Sequence, residues 1–559
     1  MIEAKDGVGA RAEGASGKSG DGLIWDRLAW ALFILAALLV ILTFRDYGVT
    51  WDEDVHQWYG VFVLDYYLSF FRDLRALHWG DLYNYGAAFD MTAAALDKIS
   101  PFGIYATRHL LNGLVGVLGI IGTWKLGRAL AGPRAGFIAA LFLLLTPNYY
   151  GQMFNNPKDV PFAVGMAWAL YYLVRIIPEL PRPPAREVLK LGLATGMALG
   201  IRVGGLLLFG YTGLVLLLFV IWRSIEARRA TTFLTESWTG FWRVLLPLTA
   251  VAYPVMLAFW PWAQRAPFTR PLQTLAYFSH EIFPYRTLFD GNYVWAARLP
   301  WSYLPTYIVL ALPELVLLLL AAAPVVAVAV LAREGRSLPR SQTLQRFIVG
   351  FAILFPVAYA VAIRAVLFDG MRHFIFVLPP IAALAALIAD RGLTWLEGFR
   401  LRRLAYAALA AYGLFHISIM ARLHPDEYVY YNALTGGVPG AAGLFKLDYW
   451  ANSYAEDVRG LEHYLRAEYG AAFSKQVFTV AVCGPAASAA AYFPKNFIYT
   501  KDRQQAEFFI AFTKDDCNKA VPGQVVYRVE RLDTLLSEVI DRRAILARES
   551  RSPLVAGTR

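Results

Sequence analysis

The sequence LAWALFILAALLVILTF at residues 28–44 decides the class of fold, because it carries no charged side chain along its whole length. A stretch of about 20 mostly apolar residues is long enough to cross the hydrocarbon core of a bilayer. The whole chain of 559 residues is 57% hydrophobic and 17% charged, with a mean hydropathy of +0.43. Soluble domains carry about 25% charged residues. The composition therefore predicts an integral membrane protein, and it argues against a soluble enzyme and against a disordered chain.

Eleven apolar segments predict an α-helical polytopic membrane protein with about 11 transmembrane helices. The two segments on either side of Arg202 also fit a single broken or re-entrant unit. No small-residue cleavage site follows the first segment, so we interpret that segment as an anchor and not as a signal peptide. The eleven segments are 28–44, 107–124, 135–150, 161–177, 188–201, 203–222, 243–262, 304–332, 347–363, 373–390 and 404–421.

The loops between these segments differ in charge. If the polar residues 1–27 form a disordered cytoplasmic tail, every inner loop is a short basic cluster. The outer loops are longer and more acidic, and the first of them, 45–106, is the longest. This positive-inside pattern places residues 422–559 outside the cytoplasm. Because the net charge of +11 is scattered between apolar runs, it predicts no nucleic-acid partner. The inner-loop basic residues include Lys125, Arg128, Arg134, Arg175, Arg228, Arg333, Arg340, Arg391 and Arg400.

Residues 422–559 differ in composition from the transmembrane domain at 28–421, and they predict a small extracytoplasmic α/β domain. Two short apolar runs are typical of strands, and two longer stretches have the periodicity of amphipathic helices. The predicted strands are 476–482 and 508–512, and the predicted helices are 454–469 and 532–546.

Both cysteines of the chain, Cys483 and Cys517, fall in this C-terminal domain. An oxidising compartment permits a disulfide between them. Closing that loop would stabilise the domain by roughly 3–4 kcal/mol. Two unrelated buried thiols are the alternative interpretation.

Three consecutive carboxylates, Asp52, Glu53 and Asp54, open the first outer loop close to a membrane helix end. Their mutual repulsion requires a cation, a metal or a raised pKa. A carboxylate at a membrane cavity is a reasonable general base, which makes Asp52 and Glu53 candidate catalytic residues. The alternative is structural, because Thr50 to Glu53 matches a capping box and acids suit the first turn of a helix.

The second outer loop places Lys158 and Asp159 directly at the start of an apolar helix. This position makes the Asp159 carboxylate a second candidate for catalysis. The same stretch also fits helix capping, with Asn156 as the cap, Pro157 in the first helical position and Asp159 in the first turn.

Two arginines, Arg202 and Arg372, lie at outer helix ends on this topology. An arginine within the membrane is costly and needs an anionic partner, and its fork of donors suits a phosphate. Snorkelling to lipid headgroups is the alternative for each. Farther along, His280 and Glu281 would form a metal site only with a third ligand, and adjacent residues alone are weak support for one.

Several motifs together resemble the GT-C superfamily of polytopic glycosyltransferases. Asp52-Glu53 follows the first helix, Asn-Pro-Lys-Asp at 156–159 follows the third, and Gly-Asn-Tyr to Leu-Pro-Trp-Ser-Tyr at 291–303 follows the seventh. Arg-His-Phe-Ile-Phe-Val-Leu-Pro-Pro at 372–380 opens a late helix. The closest groups are the protein O-mannosyltransferases and the bacterial aminoarabinose transferases, and the resemblance covers roughly 28–455.

The resemblance implies a multi-pass protein of the bacterial inner membrane that takes its sugar from a polyprenyl-phosphate donor. In that family an outer-face carboxylate deprotonates an acceptor hydroxyl, which attacks the anomeric carbon with inversion. Asp52 matches the family's base and Asp159 a second acidic position near the acceptor. Arg202 and Arg372, with Lys158, are similar to groups that hold the leaving phosphate. Some relatives use a divalent metal and others use none, so the resemblance leaves the metal open.

This chain departs from the family in its first outer loop. Where the aminoarabinose transferases have a Lys-Pro-Pro segment, residues 82–90 are Leu-Tyr-Asn-Tyr-Gly-Ala-Ala-Phe-Asp. The His-Pro-Pro segment of the mannosyltransferases is absent too, so the acceptor stays open among lipid, glycan and protein. Two other functions remain as alternatives: a transporter or flippase of lipid-linked sugars, and a non-catalytic membrane binding subunit.

Overall fold

The computed structural model describes residues 20–280, 285–334 and 339–551. Its first part consists of helices numbered α1 to α18, and a short antiparallel pair of strands, β1 (Arg286–Phe289) and β2 (Asn292–Trp295), lies between α13 and α14. The helices are α1 Gly20–Thr43, α2 Trp51–Leu68, α3 Ala88–Asp97, α4 Ile104–Ala131, α5 Pro133–Leu144, α6 Pro147–Asn155, α7 Asp159–Ile176, α8 Ala185–Leu199, α9 Leu207–Ala227, α10 Ala230–Gly240, α11 Leu246–Ala258, α12 Pro261–Gln264, α13 Arg270–His280, α14 Tyr303–Ala311, α15 Glu314–Glu334, α16 Arg340–Ala362, α17 Leu378–Glu397 and α18 Arg402–Leu423.

All eleven predicted apolar segments are helical, which confirms an α-helical polytopic membrane protein. Among the described residues, eight helices are long and apolar enough to cross a bilayer, and a ninth span results if α14 and α15 count as one. Those two helices meet at a bend of 118°. The other two segments form α5 and α8, which the structure makes shorter than a full span because Thr146 and Gly200 interrupt the helices.

The bundle has a central layer and a periphery. In α17 and α7, 83% and 78% of the most apolar window is buried inside the protein, against 11% in α18. The central helices therefore pack against protein on all sides, and the exposed apolar side chains of α18 are suited to lipid. Residues 1–19 of the predicted tail lie outside the described residues, and α1 begins at Gly20, ahead of the predicted start of the first span.

The charged groups divide the bundle into two ends. At one end of α4, Arg128 pairs with Asp26 at 2.9 Å, and next to it Arg134 pairs with Asp390 at 2.6 Å. At the other end of α4, Arg108 pairs with Asp90. The basic loops predicted to face the cytoplasm therefore lie at the opposite end from the carboxylates of the first outer loop.

The C-terminal domain is built on a five-stranded mixed sheet in the order β4-β3-β5-β7-β6. Strand β3 pairs in parallel with β4 and β5, whereas β5 and β6 pair antiparallel with β7. The helix α20 covers the sheet with its apolar face. These elements, with the short helices α19 and α21, are α19 Gly437–Ala441, α20 Tyr454–Tyr469, β3 Phe478–Val482, α21 Ala487–Ala490, β4 Phe497–Tyr499, β5 Phe508–Phe512, β6 Gln524–Arg531, β7 Thr534–Asp541 and α22 Arg543–Arg551.

One predicted element of this domain is wrong. The stretch 532–546 was expected to be an amphipathic helix, but it is a tight turn, the strand β7 and the start of α22. The sequence Thr-Leu-Leu-Ser-Glu-Val-Ile-Asp at 534–541 buries residues on both faces of the strand, so apolar spacing alone did not separate strand from helix. Cys483 and Cys517 are joined in a disulfide, with Cα atoms 6.4 Å apart.

Candidate active site

Asp52 lies in the first turn of α2, where the chain leaves the membrane after α1. Thr50 is the extended N-cap residue of that helix, and Glu53 completes the capping box. This local pattern fixes the start of the helix one residue before Asp52. The free backbone N–H groups of the first turn favour a negative charge on Asp52.

Two cations from distant parts of the chain converge on Asp52. The Arg372 guanidinium donates a hydrogen bond to Asp52 Oδ2 across 2.7 Å, and the Lys158 ammonium lies 3.0 Å from the same oxygen. The Arg372 side chain is 4% exposed, whereas that of Asp52 is 21% exposed. Burial raises the pKa of Asp52, but the charges of Lys158 and Arg372 outweigh it, and the pKa lies well below its usual value. Asp52 is therefore ionised and still reachable.

A second ion pair lies beside the first, at the start of α7. Asp159 is buried and Arg202 Nη2 lies 2.5 Å from its Oδ1. The Asp159 backbone N–H donates a hydrogen bond to the Asn156 side chain. However, α7 begins at Asp159 with Lys158 as its N-cap, so the predicted positions of Asn156 as the cap and Pro157 in the first helical position are wrong. Lys158 and Arg202 both lie against the ring of Tyr85, at 5.4 and 5.7 Å from its centroid.

These five residues form one site, which we call the Asp52 cluster: Asp52, Lys158, Asp159, Arg202 and Arg372. All five were candidates from the sequence. Their two carboxylates and three cations leave one unbalanced positive charge in a largely buried setting. Such a site is suited to an anion with a single charge, because an uncompensated buried cation is costly.

Glu53 does not join this cluster. Its carboxylate is buried, accepts a hydrogen bond from the Thr50 backbone N–H at 2.9 Å and lies 3.0 Å from His109 Nε2. The geometry supports the capping-box interpretation of Glu53. Both of its carboxylate oxygens are used in contacts with Thr50 and with His109 of α4. We therefore assign Glu53 to helix capping and not to catalysis.

Sequence reasoning missed a buried polar group behind Asp52. His56 Nδ1 lies 2.7 Å from Asp90 Oδ2, and Arg108 donates to Asp90 Oδ1 across 2.6 Å. Arg108 also donates to Gln57 at 2.9 Å. The sequence did indicate that His56 lies one helical turn after Asp52, and therefore on the same face of the helix. Asp90 could not be recognised because it lies on a different helix, α3, and no local sequence pattern links that helix to Asp52.

The C-terminal domain forms one wall of the site. Lys514 places its ammonium 3.9 Å from the Trp51 ring centroid and bonds the Tyr449 carbonyl at 3.1 Å. Burial lowers the pKa of Lys514 to about 8, against the opposing charge of Asp369. Gly484, at φ +87°, lies against the same tryptophan, and a Cβ there would be 2.7 Å from its ring. The residue next to Asp52 is therefore held by the C-terminal domain.

The metal ligands expected at His280 and Glu281 remain a prediction. Glu281 and the His280 side chain lie outside the described residues. Within the described ranges, no three His, Cys, Asp or Glu side chains are grouped as they would be to hold a metal ion.

The fold and the site together define a multi-pass membrane protein with a buried carboxylate and cation cluster at one end of its helices. Residues 98–255 match the family described as dolichyl-phosphate-mannose-protein mannosyltransferase. The matched part includes Lys158, Asp159 and Arg202. This match confirms the resemblance to GT-C glycosyltransferases. No curated protein is similar enough in sequence to be counted as a relative.

Solved structures give further similarities. The apo crystal structure of ArnT from Cupriavidus metallidurans has a TM-score of 0.47 at 15% identity, covering 92% of this chain and 98% of that chain. The same protein bound to undecaprenyl phosphate has a TM-score of 0.46 at 14% identity, covering 94% and 99%. The apo oligosaccharyltransferase of Archaeoglobus fulgidus has a TM-score of 0.48 at 11% identity, covering 86% of this chain and 65% of that chain.

Proposed function

We propose that this protein is an inverting glycosyltransferase that moves a sugar from a polyprenyl-phosphate donor to an acceptor hydroxyl. The observation that carries the proposal is the contact of Asp52 with both Lys158 and Arg372, beside the pair formed by Asp159 and Arg202. A partly exposed base beside several buried cations is what transfer from a phosphate-linked sugar requires. The family match over part of the membrane domain supports the same reaction class.

The charge of the Asp52 cluster suits this donor. A sugar phosphodiester carries one negative charge, which balances the single excess positive charge of the cluster. When the sugar leaves, the phosphate becomes a monoester and gains negative charge. Preorganised cations stabilise that growing charge, and we assign this role to Arg202 and Arg372, with Lys158 beside them.

The base in this reaction is Asp52. The acceptor oxygen attacks the anomeric carbon while its proton passes to the Asp52 carboxylate, and the bond from that carbon to the phosphate oxygen breaks. A single displacement inverts the configuration. Asp159 orients Arg202, and we assign it a part in acceptor placement.

We further propose that this reaction takes place at the outer face of the bacterial inner membrane. The basic groups represented by Arg128 and Arg134 lie at the other end of the helices, and the positive-inside rule places them in the cytoplasm. The C-terminal domain would then lie in the periplasm, an oxidising compartment that suits its disulfide. The acceptor would be a hydroxyl of a lipid, a glycan or a protein.

The test uses the purified full chain in lipid nanodiscs with a panel of polyprenyl-phosphate sugars, mannose first, and an envelope extract as the acceptor source. Mass spectrometry follows the release of free polyprenyl phosphate. Wild type is compared with Asp52→Asn and with Asp54→Asn, a matched loss of one carboxylate in the same helical turn. Asp54 instead accepts a hydrogen bond from Tyr105.

We expect release by wild type and by Asp54→Asn, and a loss of about 100-fold or more in Asp52→Asn, as for removal of a general base. The labelled product then identifies the acceptor. Release by neither wild type nor the control, in folded protein and with every donor, would overturn the transferase in favour of a transporter or a binding subunit. Full activity in Asp52→Asn would overturn the base.

A further inference from the structure

His56 and Asp90 form a buried pair directly behind the proposed base. His56 lies one turn after Asp52 on α2, and residues four apart on a helix have Cβ atoms about 5–6 Å apart on one face. The imidazole and the base therefore lie on the same face of α2, one helical turn apart.

One nitrogen of His56 is unused. Nδ1 lies 2.7 Å from Asp90 Oδ2, and the side chain of His56 is 1% exposed. Nε2 is buried and has no hydrogen-bond partner in the part of the chain that the structure describes. A carboxylate at Nδ1 holds the proton on that nitrogen and leaves a lone pair on Nε2. A buried acceptor without a partner is costly, so its retention calls for a role.

Asp90 belongs to residues 82–90, the segment in which this chain lacks the Lys-Pro-Pro and His-Pro-Pro motifs of the families that it resembles. The Asp90 carboxylate also receives Arg108, which fixes the second oxygen at 2.6 Å. Gly60 of α2 packs against the Asp90 backbone so closely that a Cβ would overlap the Asp90 carbonyl. Asp90 is therefore held rigidly, and it sets the orientation of the His56 ring.

Asp52 is poorly suited to keep a proton. Two cations contact its carboxylate, and they favour the ionised form over the protonated one. A proton taken from the acceptor needs a second group that binds it more strongly. A neutral imidazole with a carboxylate at its other nitrogen has this property, because the carboxylate stabilises the imidazolium that forms.

We propose that His56 accepts at Nε2 the proton that Asp52 removes from the acceptor hydroxyl, while Asp90 orients the ring and stabilises its charge. The inference rests on the proposed transferase function. The acceptor oxygen forms a bond to the anomeric carbon, and the bond from that carbon to the phosphate oxygen breaks with its electron pair on the phosphate. The proton moves from the hydroxyl to Asp52 and then to Nε2. The charged groups that face His56 are Asp52 and Asp90, with Arg108 beyond Asp90.

The test compares His56→Gln and Asp90→Asn with wild type and with a matched control, His416→Gln. His416 is a fully buried histidine on α18 that lies 2.7 Å from the Tyr412 hydroxyl, away from the Asp52 cluster. The donor is polyprenyl-phosphate mannose, or the sugar that wild type uses, and the acceptor is the envelope extract. The readouts are kcat, KM for the donor, the pH profile of kcat, and the unfolding midpoint.

We expect kcat to fall about 100-fold in His56→Gln, within the range for loss of a proton-transfer group, while KM changes less than about 3-fold. The pH profile of kcat should differ in shape between His56→Gln and wild type. Asp90→Asn should lower kcat about 10-fold, because the ring keeps its place but loses the charge that stabilises it. The control should retain both the wild-type kcat and the wild-type pH profile.

Wild-type kcat and an unchanged pH profile in folded His56→Gln would overturn the inference and leave the transferase in place. A change in KM alone would overturn it as well. If His56→Gln does not fold, Asp90→Asn decides by the same two readouts. Failure of wild type to transfer from any donor overturns the proposed function and, with it, this inference.

Discussion

The guanidinium of Arg372 donates a hydrogen bond to Asp52 across 2.7 Å, although 320 residues separate the two along the chain. Asp52 starts α2 directly after the first span, and Arg372 lies in a short 3₁₀ segment ahead of α17. The contact therefore brings together residues from the beginning and the end of the membrane domain's sequence. Arg372 is buried in this pair, whereas Asp52 is partly exposed. An incoming phosphate would therefore compete with Asp52 for the Arg372 guanidinium.

Arg372→Met should weaken donor binding. The substitution keeps the length of the side chain but removes its charge, and hydrogen bonds to charged groups contribute about 1.5–3 kcal/mol, which is roughly 10- to 150-fold in affinity. Arg372→Lys should lose less, because it keeps the charge and gives up only the fork of donors. Binding of a polyprenyl-phosphate sugar to protein in nanodiscs measures both. Equal affinity in wild type and Arg372→Met would remove the phosphate role.

Arg202→Ala should affect the donor more than the acceptor. Arg202 lies 2.5 Å from Asp159, and its removal leaves a buried carboxylate without its cation. We expect KM for the donor to rise at least 10-fold, with KM for the acceptor within about 3-fold. Arg134→Ala is the matched control, because Arg134 also loses a partly buried ion pair, with Asp390, at the far end of the bundle. A donor KM that rises equally in both variants would contradict a specific role for Arg202.

Glu53→Gln should reduce stability and leave turnover intact. Glu53 bonds the Thr50 backbone and lies 3.0 Å from His109, so the change weakens a buried charge pair and should cost about 1–3 kcal/mol. Activity per folded molecule should stay within about 3-fold of wild type. Asp52→Asn should instead lose transfer in protein that still folds, although its unfolding midpoint should also fall because Arg372 and Lys158 lose their anionic partner. Abolished transfer in Glu53→Gln with an unchanged midpoint would return Glu53 to the catalytic group.

The sequence was sufficient to place the apolar helices of the membrane domain, although not the number that span it, and to name all five members of the Asp52 cluster as candidates, because each member lies near the end of an apolar segment. It could not separate Asp52 from Glu53. A capping box and a catalytic pair share the same local pattern, and the partners that distinguish them, Arg372 and His109, lie far along the chain. The Asp90 carboxylate was missed for the same reason, since its role depends on a contact between separate helices.

The stretch 532–546 shows the same limit at the level of secondary structure. Its apolar spacing fits a helix, yet residues 534–541 form the strand β7, which pairs with β5 along one edge and with β6 along the other and is buried on both faces. Only the neighbouring strands decide the outcome, and a single segment carries no information about them.

His424 should make stability depend on pH. Burial lowers the pKa of His424, but its bonds to Glu427 at 2.8 Å and Asp46 at 3.1 Å outweigh it and raise the pKa to about 9. Because the folded pKa is raised, the contribution is fully present below the unfolded value of about 6.5 and is lost as the pH rises through 9.

The comparison is between wild type and His424→Gln in thermal unfolding at several pH values. We expect the variant to be less stable by about 1–3 kcal/mol near pH 6, and the difference to shrink steadily until it disappears above pH 9. His463→Gln serves as a control, because His463 is an exposed side chain on the helix α20. A difference between wild type and His424→Gln that is constant with pH would show that the ion pairs are not its source.

Loss of the disulfide should destabilise the C-terminal domain and disturb the active site with it. Cys483 and Cys517 are 34 residues apart, and closing a loop of that length stabilises the folded state by roughly 3–4 kcal/mol. Gly484 and Lys514, which contact Trp51 beside the proposed base, lie within three residues of the two cysteines. The double variant Cys483→Ser, Cys517→Ser should therefore unfold at lower temperature and transfer more slowly than wild type. Reduction of wild type with dithiothreitol should reproduce both effects and change nothing in the double variant. If the reduced and oxidised proteins unfold at the same temperature, the bond does not stabilise the domain, and the loss of transfer would need another cause.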